Sequence, residues 1–347
     1  MSNIFGNNYR ERYNLEMNKK LDILAIGDIT TDAFIKLQEA EVNCDINKDN
    51  CKICLAFGDK IPYESVTIVP AVGNSPNAAV SASRLGLTTG LLTNIGDDDE
   101  GKEALASLAK ENVATDLVKT NAGQKTNYHY VLWYGAERTI LIKHEKYDYS
   151  LPDIGNPRWI YLSSLGENSL DFHHQLATWL LAHPETKLAF QPGTFQINLG
   201  PDKLPDIFAR TEIFVCNLEE ARRILKTPDE TDVKNLLTSI KNLGPKIVGL
   251  TDGPNGAYTF DGTDMWQMPI YPDPKSPISR TGAGDAFAST FTSFIALGMS
   301  VPEALKRAPI NSMSVVQSVG AQSGLLTKEK IEKYLAEAPA DYAPKKL

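Results

Sequence analysis

Short apolar runs alternate along this chain with longer amphipathic stretches. Residues 21–26 (LDILAI) form the first strong run, rich in branched apolar side chains and closed by Gly27-Asp28, as suits a buried parallel strand. Residues 65–69 alternate like a half-exposed strand. Residues 78–85 read as a helix with small residues on one side, which permits close packing on a sheet. Residues 86–94 turn and form a strand, and acids at 97–100 open a helix to about residue 111, where its dipole favours them. From residue 158 the pattern alternates. Strands are expected at 159–162, 187–190, 213–216 and 246–250, with helices at 169–182, 219–225 and 232–242. Further helices start at Gly284 and span 301–319 and 327–336. This order predicts an α/β fold with a doubly wound, mostly parallel sheet flanked by helices. Residues 126–133 and 138–143 depart from it: they are β-rich around Gly135-Ala136-Glu137 with no helix between them, a hairpin signal. With the strand near Val66 they predict a small sheet apart from the main one. A second hairpin covers 256–268.

Composition changes this picture little. The chain has 347 residues, 42% of them hydrophobic and 22% charged, enough for one large core with a smaller appendage. A net charge of −8 argues against a nucleic-acid surface, which would carry a basic stripe. No apolar run reaches membrane-spanning length. Residues 1–20 are polar and lack the apolar centre of a secretory signal, so they read as an N-terminal extension, and the expected compartment is the cytoplasm.

The segment richest in chemistry is Ser279-Arg280-Thr281-Gly282-Ala283-Gly284-Asp285-Ala286-Phe287. Gly282, Ala283 and Gly284 let the backbone approach a ligand. The helix behind them points unpaired N–H groups and its dipole at an anion such as phosphate. Asp285 at that junction makes sense as the acceptor of a proton from a hydroxyl that attacks phosphorus. An ordinary helix start with an acid in its first turn has the same local sequence. Asp28 and Asp32 lie just past the first strand, where open α/β sheets bind ligands. Residues 38–60 form a polar insert with Cys44, Cys51 and Cys54. Three thiolates, with Asp45, Asp49 or a partner residue as a fourth ligand, could hold Zn2+. A labile redox cluster and plain free thiols are the other readings. Cys216 ends a core strand and reads as packing.

These motifs, in this order, resemble the ribokinase-like (PfkB) family of carbohydrate and nucleoside kinases. The resemblance runs from about Leu21 to Leu335 and rests on residues 281–287, on 73–86 with Asn77 and Arg84-Leu85-Gly86, and on Gly96-Asp97-Asp98 with Gly101. Asn217 with Glu220, then Thr251 with Gly253 and Gly256, complete the order. It implies a kinase domain over 21–340 with lid segments at about 34–72 and 126–143. It implies ATP as donor and a sugar, nucleoside or sugar phosphate as acceptor. Asp285 resembles the catalytic base, and Gly282, Ala283 and Gly284 the anion hole. Asp32, Gly73 and Asn77 resemble acceptor contacts. Asn217 and Glu220 resemble the pair near the phosphates and Mg2+. Thr251, Gly253, Gly256 and Asn311 resemble nucleotide contacts. The lid implies a homodimer seam.

Two departures stand out. Val72-Gly73 replaces the family's usual glycine pair, and Ser279 stands where relatives often carry an acid that helps to hold a monovalent cation. Ser279 is the poorer ligand, which counts against potassium activation; Arg280 beside it reads either as fixed positive charge in its place or as an ordinary surface arginine. The runner-up function is a non-catalytic sugar- or nucleoside-sensing binding protein on the same fold, against which the retained Asp285 speaks. A dinucleotide dehydrogenase is disfavoured, since Gly27-Asp28-Ile29-Thr30 lacks its glycine fingerprint. On the expected lid hairpin, alternation separates Tyr128, Tyr130 and Leu132 from His129, Val131 and Trp133.

Overall fold

A computed structural model describes residues 20–44, 51–135 and 137–347. The first strand, Ile23–Ile26, runs parallel to Trp159–Leu162 on one side and Thr89–Gly96 on the other. The sheet continues in parallel through Lys187–Phe190, Thr211–Asn217 and Ile247–Thr251. It ends in the antiparallel strands Ala257–Phe260, Met265–Met268 and Lys345–Lys346. Every residue of the first strand is buried. Ile23 and Ala25 enter one core, Leu24 and Ile26 the other. Successive strand side chains point to opposite faces, so a run without polar alternation must be covered on both. Helices Asn74–Arg84, Ala283–Ala296 and Val301–Val315 fill the first core, and Leu170–Ala182, Leu218–Leu225 and Val233–Asn242 the second. Phe287, Phe291 and Phe294 anchor helix Ala283–Ala296 in its core. Truncating such a side chain costs about 3–5 kcal/mol. The turn that precedes this helix is therefore held on a stiff support.

The second sheet has four strands in the order Glu137–Leu141, Asn127–Tyr134, Thr30–Leu37, Tyr63–Val72. The hairpin and the strand near Val66 are where the pattern put them. Strand Thr30–Leu37 was not expected. Asp32, just past the first strand, lies within it, opposite His129 and Val69. The sequence TTDAFIKL mixes both periods, and its pairing with two distant strands decides it.

The insert forms a small hairpin, Glu41–Asn43 against Lys52–Cys54. Cys44 and Cys51 are joined there in a disulfide. This corrects both the three-thiolate zinc site and the free-thiol reading, because two of the three sulfurs are bonded to each other. Cys54 is free and half-buried, with Asn43 Nδ2 3.3 Å from its Sγ. Asp45, Asp49 and residues 1–19 lie outside the described residues.

Two helices, Thr194–Lys203 and Pro205–Arg210, also escaped the pattern. Gly200-Pro201 interrupts the first of them with a positive φ, which hides its periodicity. Among the described residues no helix is long and apolar enough to cross a membrane.

Candidate active site

The carboxyl ends of three neighbouring parallel strands deliver Gln191, Asn217 and Thr251 to one side of the sheet. Helix Ala283–Ala296 points its N-terminus at the same place, and the lid stands over it. Two cavities result. One, of about 400 Å³, lies under the lid and is lined by Asp32, Gly73, Asn77, His129, Arg138 and Asp285 among others. The second, of about 330 Å³, is lined by Gly253, Gly256, Tyr271, Phe287, Pro309 and Met313 among others. Thr251, Arg280 and Gly284 line both cavities, so they meet at the 282–284 turn.

Gly282 caps the helix with φ +83°, in the left-handed region. A Cβ there would also lie 2.6 Å from Ala321 Cα, so the position demands glycine twice over. Gly284 differs: a Cβ there would meet nothing within 4 Å and would stand in the opening between the cavities. Ser312 Oγ donates to Ala283 carbonyl oxygen at 2.8 Å and braces the turn. The first N–H groups of the helix have no acceptor within it, which leaves them for an anion.

Asp285 accepts a hydrogen bond on each carboxylate oxygen, from Asn77 Nδ2 at 2.8 Å and from Gln191 Nε2 at 2.9 Å. Each amide is fixed from behind. Gln322 Nε2 donates to Asn77 Oδ1 at 3.0 Å, and Tyr161 hydroxyl donates to Gln191 Oε1 at 2.5 Å. Burial pushes the Asp285 carboxyl above its ordinary range, while the two amides and the Arg138 charge oppose that rise. A carboxylate so placed is poised to take up a proton.

Asn217 and Glu220 form a capping box at the start of helix Leu218–Leu225: Asn217 N–H donates to Glu220 Oε2 at 2.9 Å, and Glu220 N–H to Asn217 Oδ1 at 2.8 Å. Burial raises the Glu220 carboxyl, with nearby Asp285 adding to it, against the opposing bond from Asn217. Among the described residues no cluster of three His, Cys, Asp or Glu could hold a metal ion alone.

Most residues expected at the site are thus gathered around these two cavities. Asn311 is not. It is fully buried between helices, donating to Thr290 Oγ1 at 2.7 Å and accepting from Leu326 N–H at 2.9 Å. Its helix neighbours Pro309, Ser312 and Met313 line the second cavity instead. Helical spacing turns these three to one face and Asn311 to another. Asp28 is also not a lining residue: its carboxylate accepts from Tyr149 hydroxyl at 2.8 Å and lies 3.2 Å from His144 Nδ1. Ser279 is buried and braces the turn through Thr281, whose hydroxyl is 3.0 Å away and whose N–H donates to Ser279 Oγ at 3.2 Å. Gln191 and Gln322 were not foreseen. Gln191 carried a usable signal, as the first residue past a buried strand. Gln322 carried none, because it reaches Asn77 across 245 residues of sequence.

Residues 36–328 match the sequence profile described as pfkB family carbohydrate kinase. The chain belongs to this family. It is a phosphotransferase that acts on an alcohol group, with the ribokinase fold. The fructoselysine 6-kinase of Escherichia coli is 26% identical over 72% of this chain and 90% of its own length. The ribokinase of Bacillus subtilis is 24% identical over 80% of this chain and 92% of its own. The structure of Arabidopsis thaliana ribokinase complexed with ribose and ATP superposes with a TM-score of 0.75 at 19% identity, covering 91% of this chain and 99% of that one. This last likeness is one of fold.

Proposed function

We propose that this kinase transfers the γ-phosphoryl group of ATP to a hydroxyl of a sugar or sugar derivative bound in the cavity under the lid. The observation that carries the reading is the meeting of two cavities at Gly284, with Asp285 beside it on the lid side. The acceptor hydroxyl gives its proton to Asp285 as its oxygen attacks the γ-phosphorus. The bond from phosphorus to the β–γ bridging oxygen breaks, and ADP leaves. Asn77 and Gln191 hold the carboxylate in position and favour its ionised form. The 282–284 turn offers N–H groups to the charge that builds on the phosphoryl oxygens. Asp32 and Asn77 supply hydroxyl contacts on the acceptor side, Gly73 admits the acceptor, and Thr251, Gly253 and Gly256 border the nucleotide.

Asn217 and Glu220 fit a Mg2+ that keeps most of its water and phosphate ligands, since they offer one raised carboxylate and one amide rather than a cage. Such an ion would offset phosphate charge. The remaining expectations are proposals on narrower ground. A cytoplasmic location follows from the need for ATP, and there the Cys44–Cys51 bridge would be open to reduction. A homodimer through the lid is supported by an exposed apolar row on the lid face away from Asp32, formed by Ile68, Tyr130 and Leu141.

Asp285→Asn tests the central step. Turnover on the best acceptor should fall by roughly 10²–10⁴-fold, while ATP binding measured by calorimetry persists. Near-normal turnover in that variant would remove Asp285 from the base role and would favour a different proton acceptor.

A further inference from the structure

Two acids face the cavity under the lid, and they are supported unequally. Asp285 takes an amide on each carboxylate oxygen. Asp32 stands opposite His129 in the strand pair, but His129 Nδ1 comes only to 3.4 Å from Asp32 Oδ1. Among the described residues neither Asp32 Oδ1 nor His129 Nε2 has a hydrogen-bond partner, and both atoms are buried. A ring without hydrogen bonds to fix it is placed by what it packs against. The ring beside it is that of His144, with centroids 5.4 Å apart and planes inclined at 54°, a separation typical of packed aromatic pairs.

His144 is fixed where His129 is not. It lies on the chain that returns from the lid to the main sheet, and its Nδ1 is 3.2 Å from Asp28 Oδ2. A carboxylate only accepts, so the proton of His144 sits on that nitrogen. Asp28 is pinned in turn: its N–H donates to Ser164 carbonyl oxygen at 2.7 Å, and Tyr149 hydroxyl donates to its Oδ1 at 2.8 Å. Phe195 packs edge-on against the His144 ring, 5.7 Å between centroids. Asn127 ties the adjoining backbone to the base of the lid, accepting from Glu145 N–H at 2.8 Å and donating to Ile29 carbonyl oxygen at 3.0 Å. Asp28 and His144 stand behind the cavity wall, outside its lining.

We propose that His144 is a positioning residue for acceptor binding: held by Asp28, it fixes the His129 ring, and through that ring it fixes Asp32. This rests on the reading of the lid cavity as the acceptor site.

The test has a kinetic arm and a spectroscopic arm. Pentoses, hexoses and nucleosides are screened by ADP formation, and the best acceptor is carried into His144→Ala, His144→Phe, His129→Ala and the double variant His129→Ala/His144→Ala. In His144→Ala the KM for that acceptor should rise roughly tenfold, the worth of one hydrogen bond to a charged group. The kcat and the KM for ATP should stay within about twofold of wild type, since only acceptor binding is affected. His144→Phe keeps the ring against His129 and Phe195 and should recover most of the loss. In the His129→Ala background, removing His144 should add no more than about a twofold further rise, because its effect passes through the missing ring. Equal rises in KM for acceptor and ATP, a His144→Phe no better than His144→Ala, or full additivity in the double variant overturns the proposal. Long-range ¹H–¹⁵N spectra of the five imidazoles, assigned from the single variants, read the same relation without an acceptor. His129 should show a single tautomer in the wild type and in His144→Phe, and averaged tautomers in His144→Ala. His129 signals unchanged in His144→Ala overturn the proposal. If no acceptor yields ADP, the kinase reading fails, and these spectra alone decide whether His144 positions His129.

Discussion

Asp285 is held between opposing influences: burial disfavours its charge, and Asn77 and Gln191 restore it. The sign of the pH response follows. In the proposed base role only the ionised carboxylate accepts a proton, so turnover should fall as pH drops through a pKa raised above the ordinary 3.8. Gln191→Leu removes one donor to the ionised form and should move the acid limb of kcat to still higher pH. It also strips the buried Tyr161 hydroxyl of its acceptor, which should cost about 1–3 kcal/mol in stability. A kcat–pH profile with an unmoved or lowered acid limb would show that Gln191 does not act on the base.

The turn and its helix divide the work of the two glycines by what surrounds each Cβ position. At Gly282 an alanine must adopt φ +83° and collide with Ala321. Gly282→Ala should therefore destabilise the protein by about 1–3 kcal/mol through strain alone. At Gly284 an alanine meets empty space and gains helix propensity. Gly284→Ala should melt at or above the wild-type temperature. Its turnover should nonetheless fall by at least about 10²-fold, as when an oxyanion donor is lost, because the methyl would stand between the two cavities, where the proposed transfer takes place. Thermal denaturation and kcat measured on both variants separate these roles, and equal effects of the two on stability would refute the division. Helix Asn74–Arg84 supports the same turn from the other side. Its Arg84 pairs with Glu111 at 2.7 Å and donates to the carbonyl oxygens of Gln322 and Leu325 at 2.8 Å, which fixes the loop that orients Asn77.

At the scale of the whole molecule the lid carries two opposed faces. Asp32, His129 and Arg138 turn toward the cavity, while Ile68, Tyr130 and Leu141 stand at least half exposed on the other side. Strand register aligns these three in one row through Ala33. A second copy of the lid would cover that row. Ile68→Lys should then convert a dimer to a monomer in sedimentation and raise the KM for the acceptor more than that for ATP. A wild-type protein that sediments as a monomer at all concentrations would rule this assembly out.

The alternation of apolar runs with helical periods determined the doubly wound sheet by itself, because burial on both faces leaves a mark that survives any packing detail. The 279–287 segment likewise marked the glycine turn, the helix start and the carboxylate that line the cavities, since these are adjacent in sequence. What folding alone decided depends on contacts between distant residues. Thr30–Leu37 became a strand through partners at 63–72 and 127–134. Asn311 turned to the core because the rotation of its helix is set by packing against Thr290. Cys44 met Cys51 across a hairpin rather than a metal. Gln191 and Gln322 became the supports of Asp285 and Asn77 only where the carboxyl ends of strands, a helix start and a far loop converge, and no local period records such a meeting.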